Sequence, residues 1–314
     1  MTNELFGPVS APDEHVRELA REHHLRLTKP TGALGRLEEL GVWVSACQGE
    51  CPPRALDDCR VIVFAGDHGI ARHGVSAYPA EVSIQMHANI VAGGAGVNAI
   101  ASTHGASVRS VDISLDHDVP ADGAGADSKD ARYRVRRASG SIDREDAMSD
   151  EEVRRALEIG IRLADEAVDE GADLLIAGDL GIGNTTISAT LIGAATGSEP
   201  VVVVGRGTGI DDEGWKRKTA AVRDAMFRVR RLRNDPVEVL RRASSPDIAA
   251  MAAFLAQAAV RRTPVILDGA VVTSAALFAD QLAPGARAWW VAGHRSAEPA
   301  HAIALKHLGL EPLL

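Results

Sequence analysis

The stretch GDLGIGNTT, Gly178 to Thr186, puts three glycines, one carboxylate, an Asn and two threonines into nine residues between an apolar run and an Ala-rich run. Backbone without Cβ atoms can approach an anion closely. The order is strand, then Gly181-Ile182-Gly183, then Asn184-Thr185-Thr186 opening a helix. A helix N-terminus offers free N–H groups and a partial positive charge, and Thr185 or Thr186 adds a hydroxyl donor, so the stretch suits a phosphate. A second loop, GRGTG, sets Arg206 between Gly205 and Gly207, and Lys216, Arg217 and Lys218 follow on the next predicted helix. One of these cations can reach the same phosphate as a point charge. Strand–Gly–helix turns also arise for steric reasons alone, and for either loop taken singly that reading stands beside the functional one. The loop GxxxxGK(S/T) is absent, and GRGTGI lacks both the spacing of a dinucleotide fingerprint and a ribose-binding acid after a next strand. A mononucleotide or sugar phosphate fits better.

Other constellations are weaker. Asp67-His68, after the strand of FAGDHGI, reads as an acid/base pair, a metal site, or a turn histidine held by its neighbours. SAYPAEVSIQM brings together Ser76, Tyr78, Pro79, Gln85 and Met86, a mix that can line a slot for a flat heterocycle. The plainer reading is a helix start with a core stripe. Cys47 and Cys51 share a helix face in register, but no second ligand pair follows, and no metal is expected. No Ser/His/Asp order or close carboxylate pair stands out.

The elements that must position these residues follow from periodicity. SAPDEHVRELAREHHLRL starts like a helix. GALGRLEELGVWVSACQ predicts a second helix with Leu34, Leu37, Leu40 and Val44 on its buried stripe. CRVIVFAG, SVRSVDIS, ADLLIAG, PVVVV, PVIL and ARAWWVAG read as strands, several of them apolar runs without alternation, as in a parallel sheet covered on both faces. Helices are expected between them, one announced by the capping box Ser149 to Glu152. The polar stretch 115–147 reads as a surface excursion. Alternating strand and helix predict an α/β fold, a doubly wound and mostly parallel sheet with helices on both faces. Residues 1–58 are assigned to a small helical domain and 59–314 to a Rossmann-like α/β domain.

The 314 residues allow a sizeable core. A net charge of −9 and only 4% aromatics argue against general nucleic-acid binding. Three cysteines, with no apolar leader in the first residues and no membrane-length apolar run, point to the reducing cytoplasm and no membrane partner.

Together the motifs resemble the nicotinate-nucleotide–dimethylbenzimidazole phosphoribosyltransferase family of cobalamin lower-ligand synthesis. The matching stretches are KPTGALGRLEEL, FAGDHGI, GVSAYPAEVSIQM, GGAGVNAIA, GIGNTTISA, VGRGTGIDDEGWKRK, DIAAMAAFLAQAAVRRTPVILDG and HRSAEPAHAIALKHLGLEPLL, in order from Lys29 onward. The resemblance implies a homodimer without cofactor or metal. It implies transfer from nicotinate mononucleotide to 5,6-dimethylbenzimidazole, giving α-ribazole 5′-phosphate and nicotinate. Gly181, Gly183, Asn184, Thr185, Gly205, Arg206, Gly207, Lys218 and Ser296 would then hold the nucleotide, Ser76, Tyr78, Gln85 and Met86 the azole base, and Asp179 would be an assisting carboxylate.

The sequence departs from that pattern in three places. The family has Glu where Asp179 stands, and a Gly-Gly pair where Ser244 and Ser245 stand. Its general base is a glutamate in a Gly-Glu-Gly turn a few residues beyond LGLEPLL, whereas this sequence ends at Leu314. The expectation is that the natural chain continues, with a helical tail that completes the small layer. Should it not, Asp179 or Glu298 would be a poor substitute base. The competing readings are a nucleotide- or azole-binding protein without turnover and an unrelated sugar-phosphate enzyme on the same fold.

Overall fold

A strand with no polar face needs cover on both sides, and CRVIVFAG receives it. The computed structural model describes residues 5–118 and 131–314. In chain order the elements are α1 (Glu14–Arg26), α2 (Arg36–Gln48), β1 (Cys59–Gly66), α3 (Val82–Val91), α4 (Gly96–Thr103), β2 (Ser107–Ser114), α5 (Asp150–Asp169), β3 (Leu174–Leu180), α6 (Asn184–Thr196), α7 (Pro200–Val203), α8 (Asp212–Val229), α9 (Pro236–Ala243), α10 (Pro246–Val260), β4 (Val265–Leu267), α11 (Ala270–Leu282), β5 (Trp290–Ala292) and α12 (Pro299–Leu308). The five strands form one sheet in the order β2-β1-β3-β4-β5, every pairing parallel. This is the expected α/β architecture.

Successive strand side chains point to opposite faces, and β1 uses both. Val61 and Val63 pack with Ile90 of α3 and with Ala95 on one face. Ile62 and Phe64 join the large core on the other, where Phe64 meets Phe254 of α10 edge-on at 5.4 Å. The helix α10 is apolar nearly all round, and from Ile248 to Ala256 every residue is buried. It crosses α5 so closely that a Cβ on Gly160 would stand 1.9 Å from the Ala250 carbonyl oxygen. The capping box forms as read: Ser149 Oγ accepts from the Glu152 N–H at 3.2 Å, and the Glu152 carboxylate accepts from the Ser149 N–H at 2.8 Å.

Three local expectations are corrected and one element is added. PVVVV is not a strand. Pro200 occupies the first helical position, which its fixed φ favours, and both flanks of β3 are already taken by β1 and β4. PVEVLRRA, not anticipated as an element, forms α9, capped by Asp235 and laced by Glu238 to Arg241 and Arg242. The buried face of α2 carries Val42, Trp43 and Ala46, while Leu34 and Leu37 are exposed. Trp43 faces the α/β core, where its indole N–H donates to the Ala288 carbonyl at 3.2 Å. The stretch 115–147 is no simple excursion: Tyr133 and Ile142 are fully buried. Part of that stretch, 119–130, lies outside the described residues.

The α5–α10 contact yields a direct test. Gly160→Ala should lower the midpoint of urea unfolding by the equivalent of about 1–3 kcal/mol, since a backbone carbonyl cannot rotate away as a side chain can. An unchanged midpoint would show that the two helices do not cross this closely.

Candidate active site

In an open parallel sheet, ligands bind beyond the carboxyl ends of the strands where the strand order reverses. Here the reversal lies between β1 and β3. The turns leaving these strands, Asp67-His68 and Gly181 to Gly183, press against each other. A Cβ on Gly181 would stand 2.0 Å from the Gly66 carbonyl oxygen and 2.6 Å from His68 Cε1. Gly183 has φ +100°, a conformation costly for other residues, and its absent side chain faces Ile70 and His68. Both glycines are therefore required by loop-on-loop packing.

The Ile182 peptide is clamped from two sides. Its N–H donates to Ser83 Oγ at 3.1 Å, and its carbonyl accepts from His68 Nδ1 at 3.1 Å. His68 Nε2 lies 3.2 Å from Asp247 Oδ2, so both ring nitrogens face acceptors. Burial disfavours charge on this ring. The Asp247 carboxylate, the Ile182 carbonyl and Asp67 outweigh it and hold the imidazole above the ordinary histidine value. Of the sequence alternatives, the structure realises the held turn histidine. Neither Ser83 nor Asp247 was singled out by sequence reasoning, since a Ser inside a helix and an Asp in its first turn carry no chemical signature.

A cleft of about 200 Å³ opens beside these turns, lined among others by Ser76, Met86, Asp179, Asn184, Thr185 and Thr208. Asp179 lies half-buried in its wall and accepts a hydrogen bond from the Asn184 side-chain amide. Burial pushes its carboxyl up to about 6 against that bond, and the charges of Asp247 and Asp268 add to the rise. Asn184 Oδ1 in turn takes the Thr185 N–H at 2.7 Å. Ser76 meets Thr208, whose hydroxyl also accepts the Ala77 N–H at 2.9 Å, so the GRGTG loop borders the cleft. Tyr78 and Gln85 are exposed and outside this lining.

Lys218 comes from the far side. It is fully buried on α8, and its Nζ donates to Thr185 Oγ1 at 2.9 Å. Burial lowers its affinity for the proton, and the Glu298 carboxylate opposes that. Gly207 (φ +51°) closes the group: a Cβ there would stand 3.1 Å from Thr185 Oγ1 and 3.2 Å from Lys218 Nζ. Arg206 turns the other way, donating to the Ile210 carbonyl at 2.9 Å and pairing with Asp212 at 2.6 Å. Ser296 bonds to His301 near the start of α12, outside the cleft lining. Thus Asp179, Asn184, Thr185, Gly207 and Lys218 come together, with Ser76 and Met86 across the cleft.

A larger cavity, about 500 Å³, lies at the opposite end of the sheet, where Asp173 and Pro264 precede β3 and β4. It holds none of the predicted site residues. Cys47, on its wall, has its thiol pushed up to about 12 by burial. Among the described residues no group of three or more His, Cys, Asp or Glu is placed to hold a metal ion. Ser244 and Ser245 sit between α9 and α10 with φ of −111° and −155°, so the turn does not need glycine.

A family model described as phosphoribosyltransferase covers residues 9–314. The chain belongs to this phosphoribosyltransferase family. It is 64% identical over 311 residues to the nicotinate-nucleotide–dimethylbenzimidazole phosphoribosyltransferase of Corynebacterium efficiens, covering 99% of this chain and 82% of that protein. Against the protein of that name from Mycolicibacterium paratuberculosis the identity is 61%, covering 98% of this chain and 87% of that one. The crystal structure of CobT from Thermus thermophilus superposes with a TM-score of 0.89 at 40% identity, covering 96% of this chain and 88% of that chain. No helix among the described residues is long and apolar enough to cross a membrane.

The His68–Asp247 clamp of this family member has a pH signature. A histidine raised in the folded state stabilises fully below its unfolded pKa, about 6.5, and loses that contribution as pH rises through its folded value. Thermal melts across this range should therefore show stability falling toward alkaline pH by more in the unmodified chain than in His68→Gln. Parallel curves would remove the clamp.

Proposed function

We propose that the chain transfers the phosphoribosyl group of nicotinate mononucleotide to 5,6-dimethylbenzimidazole, releasing nicotinate and forming α-ribazole 5′-phosphate. What carries the reading is the meeting of Lys218, Thr185 and the Gly207 turn beside a cleft walled by a proton-accepting carboxylate, in a chain 64% identical to a protein named for this reaction. The 5′-phosphate would lie against Lys218, the Thr185 hydroxyl and the Gly207 turn, with Gly181, Gly183 and Gly205 shaping the loops around it rather than offering an open glycine face. Arg206 and Ser296 would join only if their side chains leave Asp212 and His301. The flat base would enter between Ser76 and Met86, with Tyr78 and Gln85 at the mouth.

The chemistry then follows from charge. A ring nitrogen of the benzimidazole attacks C1′ as the C1′–N bond to nicotinate breaks on the opposite face, so the product is the α anomer. Positive charge builds on the ribose in the transition state, where a fixed carboxylate stabilises it. The attacking base must also lose its N–H proton. A carboxyl raised to about 6 is a better base than an ordinary aspartate and is still ionised at neutral pH. Asp179 takes both parts in this reading. The helical layer of residues 1–58 and a homodimer belong to the same proposal; packing of α1 on α2 supports the first.

Two measurements test it. Lys218→Ala should weaken nicotinate mononucleotide binding about tenfold or more, as expected for a lost charge-assisted contact; unchanged affinity would end the phosphate assignment. Nicotinate release should rise as pH passes about 6 and then level off as Asp179 ionises. Asp179→Asn should lower kcat/KM by roughly two orders of magnitude and erase that acid limb. Binding of both substrates without nicotinate release by the unmodified chain would refute Asp179 as the base.

A further inference from the structure

Glu298 is the last residue before α12, the position from which a side chain usually caps its own helix, yet it makes no such cap. Its carboxylate reaches across to the GRGTG loop instead. Oε1 accepts the Gly207 N–H at 2.8 Å. The carboxylate also fills the place of a Gly205 side chain: a Cβ there would lie 2.3 Å from Oε2 and 2.6 Å from Oε1. The acid thus lies directly against the Gly205 backbone. The same carboxylate acts on Lys218, whose ammonium has three donors and gives one to the neutral Thr185 hydroxyl. A buried ammonium favours a nearby counter-charge, and the acid whose charge bears on Lys218 is Glu298, bound to the same Gly207 turn that Lys218 Nζ flanks and coming from the segment before α12.

These are the donors and the cation that a phosphate would use. We propose that Glu298 is the internal counter-anion of the phosphate site. It holds the Gly207 N–H and balances Lys218 in the free protein, and an incoming phosphate competes with it for both. The inference rests on the phosphate reading above. It makes Glu298 a positioning residue: it keeps the loop and the ammonium in place before the nucleotide arrives, at the expense of nucleotide affinity.

A purely structural brace and a competing anion differ in one respect. Glu298→Gln keeps an oxygen that can accept the Gly207 N–H and removes only the charge. Titration calorimetry with inorganic phosphate should then show binding roughly tenfold tighter for Glu298→Gln than for the unmodified chain, since a like charge near the site is gone. Glu298→Ala, which also loses the brace, should bind less tightly than Glu298→Gln. Equal or weaker binding by Glu298→Gln overturns the proposal. Lys218→Met separates the two layers of the argument. If it abolishes phosphate binding while Glu298→Gln changes nothing, only the role of Glu298 fails. If Lys218→Met leaves binding unchanged, or the unmodified chain binds no phosphate, the phosphate reading fails and this inference with it. Should Glu298→Gln not fold, the unmodified chain labelled with ¹⁵N serves: phosphate must shift the Gly207 amide resonance, and an unmoved resonance overturns the proposal.

Discussion

The contact on which the site depends is the approach of two strand-end turns at the centre of the sheet. Gly181 packs onto the Gly66 carbonyl with no room for a methyl group, and the Ile182 peptide is held between Ser83 and His68. This fixes where β3 hands over to α6, and so where Asp179, Asn184 and Thr185 stand. Asp247, on the heavily buried helix α10, anchors His68 from below. Position at the cleft is thereby tied to the densest part of the core. Interiors packed like crystals transmit small displacements, so a loop held this way is stiff.

Charge at the site is arranged in two separate groups. Asp179 is desolvated, restrained by a neutral amide and surrounded by other acids, which makes it a weak acid and a useful base. Lys218 is desolvated too, but it donates to Thr185 and feels the opposing charge of Glu298, so a basic side chain stands where a strand-end loop alone would offer only backbone N–H groups. The separation suits a reaction in which a phosphate must be held while a proton leaves elsewhere. The same burial raises one group and lowers the other, because it always disfavours the charged form.

How much of this was legible in the sequence varies with the physics involved. The apolar runs of β1 and β3, rich in β-branched and aliphatic residues and followed by Gly-rich turns, read as buried parallel strands and form them. The Ser149 capping box is a local hydrogen-bond pattern and formed as written. PVVVV forms a helical turn instead: β-branched composition alone does not make a strand, and Pro200 at the first helical position suits a helix start. The stripe on α2 failed in part: Val42, Trp43 and Ala46 are buried, with Trp43 bonded to a residue 245 positions away, while Leu34 and Leu37 stay exposed. Arg206 was chosen for its place between glycines, yet Asp212, six residues on, is its partner. Glu298 gave no sign of its reach to Gly207, 91 positions earlier.

By itself the sequence determined the alternation of elements, the parallel sheet, the Gly-rich turns at the ends of strands and the family, because each is carried by local composition or by short motifs in order. The tertiary structure alone decided which glycines serve close packing, which of several basic residues reaches Thr185, and which acid faces it. Those outcomes depend on contacts between segments far apart in the chain, where burial changes the cost of a charge and a single interaction across the fold overrides local preference.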